Sequence, residues 1–180
     1  MKRILILSLL VVLVASLSFA QMAYKKGDQV VNVGLGIGGF AGVYGSGGIA
    51  ITGGYENAVT ENISLGGVVG YSSSSETVFG DYGWKYTYIL IGARGAYHAD
   101  LLHNPNIDTY GGILLGYNIV SSTATGTVPY FGYVAASASA SYLEFGVFIG
   151  GRYYLDPHWA IQAELGYGLG ILNVGVAYKF

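Results

Sequence analysis

The sequence predicts an all-β protein, an eight-stranded antiparallel up-and-down transmembrane β-barrel. Three observations carry that expectation. The last ten residues alternate strictly, with Leu172, Val174, Val176, Tyr178 and Phe180 on one face and Asn173, Gly175, Ala177 and Lys179 on the other. That period of two marks a strand with one apolar side. The same pattern recurs in segments of about ten residues, the length of a tilted strand that crosses a bilayer. Finally, one face carries Ile, Val and Leu while the other carries Gly, Ser, Asn and nearly every strand charge. A water-soluble barrel would bury the first and wet the second. Here the second is too small to cover an exterior and suits a narrow lumen.

Composition agrees. The chain has 180 residues with 30 Gly, 17 Tyr, 3 Pro and no Cys, and only 10% are charged. Glycine at that level without a triplet repeat, and with so little proline, excludes collagen and Pro/Gly-rich disorder. Lack of cysteine excludes disulfides, thiolate metal sites and a lipid anchor on cysteine. A formal net charge of −2 leaves no footprint for nucleic acid.

The N-terminus reads as an address. Lys2 and Arg3 precede an apolar run from Ile4 to Val14, and Ser18-Phe19-Ala20 is a small-x-small cleavage pattern. Residues 1–20 are expected to be a cleaved signal peptide and residues 21–180 the barrel domain. Gln21 to Gly27 is a short polar leader. Strand one, Asp28 to Gly38, sets Val31, Val33, Leu35 and Ile37 against Asn32, Gly34 and Gly36, and Phe40 to Ser46 is a glycine-rich turn. Strand two, Gly47 to Asn57, points Ile49, Ile51 and Tyr55 outward. After Ala58 to Asn62, strand three alternates Ile63, Leu65, Val69 and Tyr71 with Ser64, Gly66, Gly70 and Ser72.

Ser73 to Gly83 is expected to be a polar loop. Strand four, Trp84 to His98, points Ile89, Ile91, Ala93 and Tyr97 outward and puts Arg94, with a less typical Leu90, inside. Ala99 to Asn106 turns into strand five, where Ile113, Leu115 and Tyr117 oppose Tyr110, Gly112, Gly116 and Asn118. Ser121 to Ala138 is expected to be the longest loop. Strand six sets Leu143, Phe145, Val147, Ile149 and Tyr153 against Glu144, Gly146, Gly150 and Arg152. Strand seven sets Trp159, Ile161, Ala163, Leu165 and Tyr167 against Gln162, Glu164 and Gly166, and a turn at Gly168 to Gly170 leads into the closing strand.

Aromatic residues on the apolar face gather near strand ends, at Tyr55, Tyr71, Tyr97, Tyr117, Tyr153, Trp159, Tyr167 and Tyr178. Trp159 and Tyr167 stand about 20 Å apart at ~3.3 Å rise and ~40° tilt, near the ~25 Å apolar band between two aromatic girdles. In lipid only helices and closed barrels satisfy their backbones.

The N-terminal signal, the eight alternating strands, the terminal Tyr178-Lys179-Phe180 and the stretch Ala93-Arg94-Gly95-Ala96-Tyr97 resemble the small outer-membrane β-barrels. That family includes the OmpA transmembrane domain, OmpX and the opacity-type proteins. The resemblance spans the mature chain and specifies architecture far better than activity. It implies a bacterial outer-membrane location, both termini in the periplasm, and longer loops outside. It also implies that Val176, Tyr178 and Phe180 are the signal read by the barrel-assembly machinery. The sequence stops at strand eight, so no OmpA-like peptidoglycan-binding domain is expected.

The inward face collects Glu56, Arg94, Glu144, Arg152, Glu164 and Lys179. Isolated buried charges are costly, so these should pair, with Arg94 and Arg152 expected to bridge Glu144 and Glu164. They form either a structural plug or the lining of a leaky conduit, since a barrel of eight strands is usually just filled by side chains. Gly34-Leu35-Gly36-Ile37-Gly38-Gly39 matches a dinucleotide fingerprint by letter, but its glycines lie within a strand and no helix follows. Asn62-Ile63-Ser64 matches a glycosylation acceptor by chance. His98, His103 and His158 are expected to be solvated turn residues, and Asp100 with His103 is too sparse for a metal site. No catalytic residue, cofactor or metal is expected. Val128 to Tyr133 gives the longest loop an uncharged aromatic cluster, either a patch for a surface partner or a lid over the lumen, or else the segment partly continues the strands. The expected role is a non-catalytic, monomeric outer-membrane barrel in contact with lipid, with a structural or surface-interaction function. The competing expectation is a narrow passive channel for small polar or apolar molecules.

Overall fold

The computed structural model describes residues 23–38, 49–128, 132–133 and 137–180. The expected signal peptide and the turn at Phe40 to Ser46 lie outside these residues, as does part of the aromatic cluster in the longest loop. The strands are β1 (Gln29–Ile37), β2 (Ala50–Ala58), β3 (Ile63–Phe79), β4 (Tyr82–Ala99), β5 (Ile107–Thr125), β6 (Ser137–Tyr154), β7 (Trp159–Tyr167) and β8 (Leu172–Lys179). A short ladder pairs Thr127–Val128 with Gly132–Tyr133 between β5 and β6.

Each strand pairs antiparallel with its neighbours in sequence, and β1 pairs with β8 to close the ring. Closure satisfies every strand edge within the belt, which a bilayer demands because lipid offers no hydrogen bonds. Side-chain parity follows the sequence pattern. Val33, Leu35, Ile51, Leu65, Ile91, Leu115, Val147 and Ile161 are exposed on the outer wall. Leu90, Arg94, Leu114, Glu144 and Arg152 are buried inside it.

The register arranges the outward aromatics into two girdles. Tyr178 pairs with Trp159 and Val31, and Val31 with Tyr55, at the end where β1 begins and β8 finishes, here the near end. Tyr97 and Tyr153 lie at the same level beside Gly111 and Ile107. Tyr71, Tyr117 and Tyr167 sit towards the far end, beside Ile89, Ile91 and Val147.

The expected loop at Ser73 to Gly83 is strand instead, and the segment Ser121 to Ala138 is in part a continuation of the strands, one of the alternatives the sequence left open. β3 continues to Phe79 and β4 starts at Tyr82, which leaves Gly80 and Asp81 as the turn, and β5 and β6 run well into the segment 121–138. Ser and Thr read as loop because they compete locally with strand pairing. Here a neighbour meets them at each position, as Ser73 meets Thr87, Thr87 meets Ser121 and Ser121 meets Ser139. The four long strands are consecutive around the ring, so among the described residues one half of the wall stands well above the other at the far end.

Candidate functional site

The lumen is the chemically distinctive part of the molecule, and it is built in two storeys. The storey at the near end holds charge. Arg152 is fully buried; its Nη2 lies 2.6 Å from Glu56 Oε1, its Nη1 3.5 Å from Asp108 Oδ2, and its Nε donates to Gln162 Oε1 at 2.9 Å. Arg94 Nη2 lies 2.7 Å from Glu164 Oε1 and 3.5 Å from Glu56 Oε1. Tyr110 donates its hydroxyl to Glu164 at 2.8 Å. Its ring also lies 4.6 Å beneath the Arg152 guanidinium, and Phe148 lies 4.1 Å from that of Arg94. Delocalised guanidinium groups suit such stacking, which a lysine ammonium would match less well.

Glycines make these meetings possible. Gly66 stands between Glu56 and Arg94 in the register, and Gly150 stands between Tyr110 and Glu164. A Cβ on Gly150 would lie 2.8 Å from both Glu164 and Tyr110. The inward glycines are therefore the gaps through which side chains two strands apart touch.

A chain of hydrogen bonds runs on from the ion pairs. Ser64 Oγ lies 3.3 Å from Glu56 Oε2 and 3.0 Å from His98 Nε2, and His98 Nδ1 lies 2.7 Å from Asp108 Oδ1. Asp108 accepts, so Nδ1 donates. His98 is therefore no solvated turn residue. It has the inward parity of β4, and the lumen buries it completely. Serine, histidine and aspartate in that order mimic a nucleophilic triad. However, Ser64 is 1% exposed and Tyr24 stacks on the imidazole with ring centroids 3.7 Å apart. The hydroxyl also faces a carboxylate where an acyl group would develop negative charge.

Tyr24 belongs to a strap that closes the near end. Ala23 O accepts from Lys179 Nζ at 2.6 Å, Lys179 Nζ lies 3.5 Å from Asp28, and Gly27 N donates to Ala58 O. Tyr154 and Ala160 pack beside Tyr24, with Val30 and Ala177 completing the cluster. Lys179 thus holds the strap at the mouth, away from the arginine cluster in which the sequence grouped it.

The far storey is apolar. Leu90 and Leu114 are buried against Val68, Tyr88 and Leu169, with Phe148 packed alongside. Leu169 enters from the turn between β7 and β8, flanked by Gly168 at φ 128° and Gly170 at φ 120°. Those backbone angles favour glycine. At this level Asn118 Nδ2 donates to Glu144 at 2.9 Å and to the Tyr142 hydroxyl at 3.0 Å, and Asn173 donates to Thr52 at 2.9 Å. A cavity of about 10 Å³ between Leu114, Phe148, Glu164 and Asn173 is the space of a single water.

The geometry brings Glu56, Arg94, Arg152 and Glu164 into one network. It gives Arg152 to Glu56 and Asp108, where the sequence had paired the two arginines with Glu144 and Glu164, and it sets Glu144 in the storey above. Sequence reasoning missed Asp108 and Tyr24. Asp108 shares the parity of Tyr110, so starting strand five one residue earlier would have found it. Tyr24 lay in a leader that shows no strand pattern. Outside the lumen, His103 is exposed and His158 Nδ1 is 2.8 Å from Lys179 O. No group of three or more metal-capable side chains occurs among the described residues.

No protein-family model matches the chain, and no curated protein matches it by sequence. Solved structures do. The chain superposes on Ail, the attachment invasion locus protein of Yersinia pestis, with a TM-score of 0.54 at 16% identity, covering 86% of this chain and 99% of that one. The N-terminal β-barrel domain of Pseudomonas aeruginosa OprF gives 0.56 at 15% identity, covering 87% and 98%. The fold is that of the small eight-stranded outer-membrane β-barrels. Neisserial surface protein A is similar to it as well, with a TM-score of 0.53 at 14% identity, covering 85% and 94%. In such a barrel the apolar outer wall between the aromatic girdles faces lipid, and the far-end sheet of β3 to β6 continues beyond it.

Proposed function

We propose that the protein is a non-catalytic bacterial outer-membrane barrel that anchors a surface-interaction sheet, and that the sheet is its working part. The observation that carries this reading is the contrast between the two ends of the wall. The lumen is filled by ion pairs and then by leucines. Beyond Tyr71 and Tyr117 the four consecutive long strands β3 to β6 rise about 20 Å further along their axes. Their outer face there presents Ser73, Thr87, Ser121 and Ser139, and above them Ser75, Lys85, Thr123 and Ser137. Their inner face presents Trp84, Tyr86 and Tyr142, aromatic residues of the kind enriched at interfaces.

Several features support this arrangement. The near end is periplasmic, which suits an N-terminal signal peptide cleaved after Ala20 and a C-terminal strand read through Val176, Tyr178 and Phe180 by the assembly machinery. The similarity to Ail, the attachment invasion locus protein, favours a surface role. Yersinia pestis Ail also has a structure in complex with the heparin analogue sucrose octasulfate. Lys85 is the one cation among the described residues of the far-end sheet, so a polysulfated partner fits this chain poorly. The sealing of Ser64 and His98 beneath Tyr24 supports a barrel without catalysis, and the lumen packing disfavours a conduit.

Single-channel recording of the refolded protein in a planar bilayer tests the reading, with binding of whole cells to host-type surfaces measured alongside. Electrical silence, together with adhesion that falls when Trp84, Tyr86 and Tyr142 are replaced by serine, is the expected result. Discrete openings in the unmodified barrel would overturn it in favour of a passive channel.

A further inference from the structure

Inside the lumen, a glutamate beside an aromatic ring holds an arginine, and it does so twice. Arg94 donates to Glu164 and lies 4.1 Å from the Phe148 ring, while Arg152 donates to Glu56 and lies 4.6 Å from the Tyr110 ring. A guanidinium serves both partners at once, since its fork meets the carboxylate and its flat face meets the ring.

The same two partners recur at the far end without the arginine. Glu76 of β3 and Trp84 of β4 are direct partners in the register, on the inner face of the raised sheet. Side chains so opposed stand about 5 Å apart at Cβ. The Trp84 ring meets that of Tyr82 with centroids 6.3 Å apart and planes at 74°, so the two rings make an open corner. Both are half-buried, and Glu76 is exposed. Among the described residues the Glu76 carboxylate takes part in no hydrogen bond or ion pair. Asp81, in the turn beside Tyr82, adds a second negative charge. The far end has no cation to answer them. Lys85 has the opposite parity and pairs with Ser75 on the outer face, and positions 39–48 and 129–136 contain no Lys, Arg or His.

We propose that Glu76, Trp84 and Tyr82 form a receptor site for an arginine side chain of a partner protein, with the guanidinium stacked on Trp84 and bonded to Glu76. Charge complementarity selects a cation. The aromatic corner selects arginine over lysine, because a planar guanidinium stacks on a ring and sheds water more readily than a compact ammonium. The site names the partner chemistry of the far-end sheet and rests on the reading of that sheet as the interaction surface.

Proton–nitrogen NMR of the refolded protein in uncharged maltoside micelles at low salt tests this. The chain has 2 Trp, so the indole signals of Trp84 and Trp159 report the two ends separately. The probe is a blocked Gly-Arg-Ser-Gly-Arg-Ser peptide, run beside its lysine analogue and its uncharged citrulline analogue. The arginine peptide should move the Trp84 signal and leave Trp159 in place. The lysine analogue should bind several-fold more weakly, and the citrulline analogue should not bind. Glu76→Gln should weaken the arginine peptide about tenfold, with an unmoved Trp159 signal showing that the barrel is intact. No Trp84 response to the arginine peptide, or an equal response in Glu76→Gln, would overturn the site. Equal binding of the citrulline analogue would overturn it too, and equal binding of the lysine analogue would overturn the assignment to arginine. Adhesion of whole cells separates this from the wider reading. Adhesion lost in Trp84→Ser without any peptide response would sink the arginine site and keep the adhesive sheet. A peptide response with adhesion unchanged in Trp84→Ser would sink the adhesive sheet and keep the arginine site.

Discussion

Arg152→Met is the most informative single change in the lumen. It keeps the unbranched stem of the side chain and deletes the guanidinium that meets Glu56 at 2.6 Å, Gln162 at 2.9 Å and Asp108 at 3.5 Å. Asp108 keeps His98 at 2.7 Å. Glu56, which is completely buried, is left with Arg94 at 3.5 Å and Ser64 at 3.3 Å. Breaking a buried pair from one side costs about 3–5 kcal/mol, because the remaining charge stays desolvated without its partner. Glu56→Gln added to Arg152→Met removes that stranded charge, so the double variant should be more stable than the two single losses sum to. Equilibrium urea unfolding of the barrel refolded into vesicles, followed by tryptophan fluorescence, gives all four corners of the cycle. A loss below about 1 kcal/mol in Arg152→Met, or strict additivity, would refute the network as a stabilising unit.

Adjacent glycines in β3 should behave oppositely. A Cβ on Gly66 runs into the Tyr55 backbone carbonyl, whereas one on Gly67 lies 3.6 Å from Gly92 O. Gly66→Ala should therefore abolish the heat-modifiable folded band on electrophoresis, and Gly67→Ala should leave it unchanged. At the near-end turn, the backbone N–H groups of Trp159 and His158 donate to Asp156 and hold its carboxyl below the usual carboxylate value. A depressed value contributes stability that is complete above the ordinary pKa of about 3.9 and is lost as pH falls through the folded one. Asp156→Ala should thus lower stability at neutral pH, and that deficit should vanish as pH falls through the acid range, which flattens the acid limb of the unfolding profile.

Strand parity was legible throughout because lipid rewards it at every second residue. Leu35, Ile91, Phe145 and Ile161 could face only one way, and their neighbours Gly36, Gly92, Glu144 and Gln162 only the other. The girdles were legible for the same reason, since Trp159 and Tyr167 mark one apolar span. What failed depended on neighbours in space. Ser73 and Ser121 look like loop residues in isolation and become strand because Thr87 lies between them. The partner of Arg152 could not be read because Glu56 lies 96 residues away in sequence, on the strand opposite in the ring, and meets it across the lumen. His98 looked like a turn residue because the strand was expected to end there, yet β4 carries it inward and Tyr24, from an apparently featureless leader, covers it.

That failure points to what the buried charges do beyond stability. A slip of one residue between two strands would drive a whole apolar face into the lumen and is strongly penalised. A slip of two keeps every parity, so the lipid-facing wall is nearly indifferent to it; Leu, Ile and Val simply exchange places with one another. Inside, the same slip moves Arg94 off Glu164, puts a side chain where Gly66 or Gly150 must be empty, and strands His98 from Asp108. The interior therefore chooses among registers that the exterior cannot tell apart. We hypothesise that register selection is a function of the network, a role attested for buried polar groups in some folds and absent in others. A variant carrying Glu56→Gln, Arg94→Met, Arg152→Met and Glu164→Gln has paired neutral or apolar groups and should still form a barrel. Its amide spectrum in micelles should show more than one resonance for strand residues such as Gly92 and Gly116, and a single set of peaks would assign register to the glycine gaps alone.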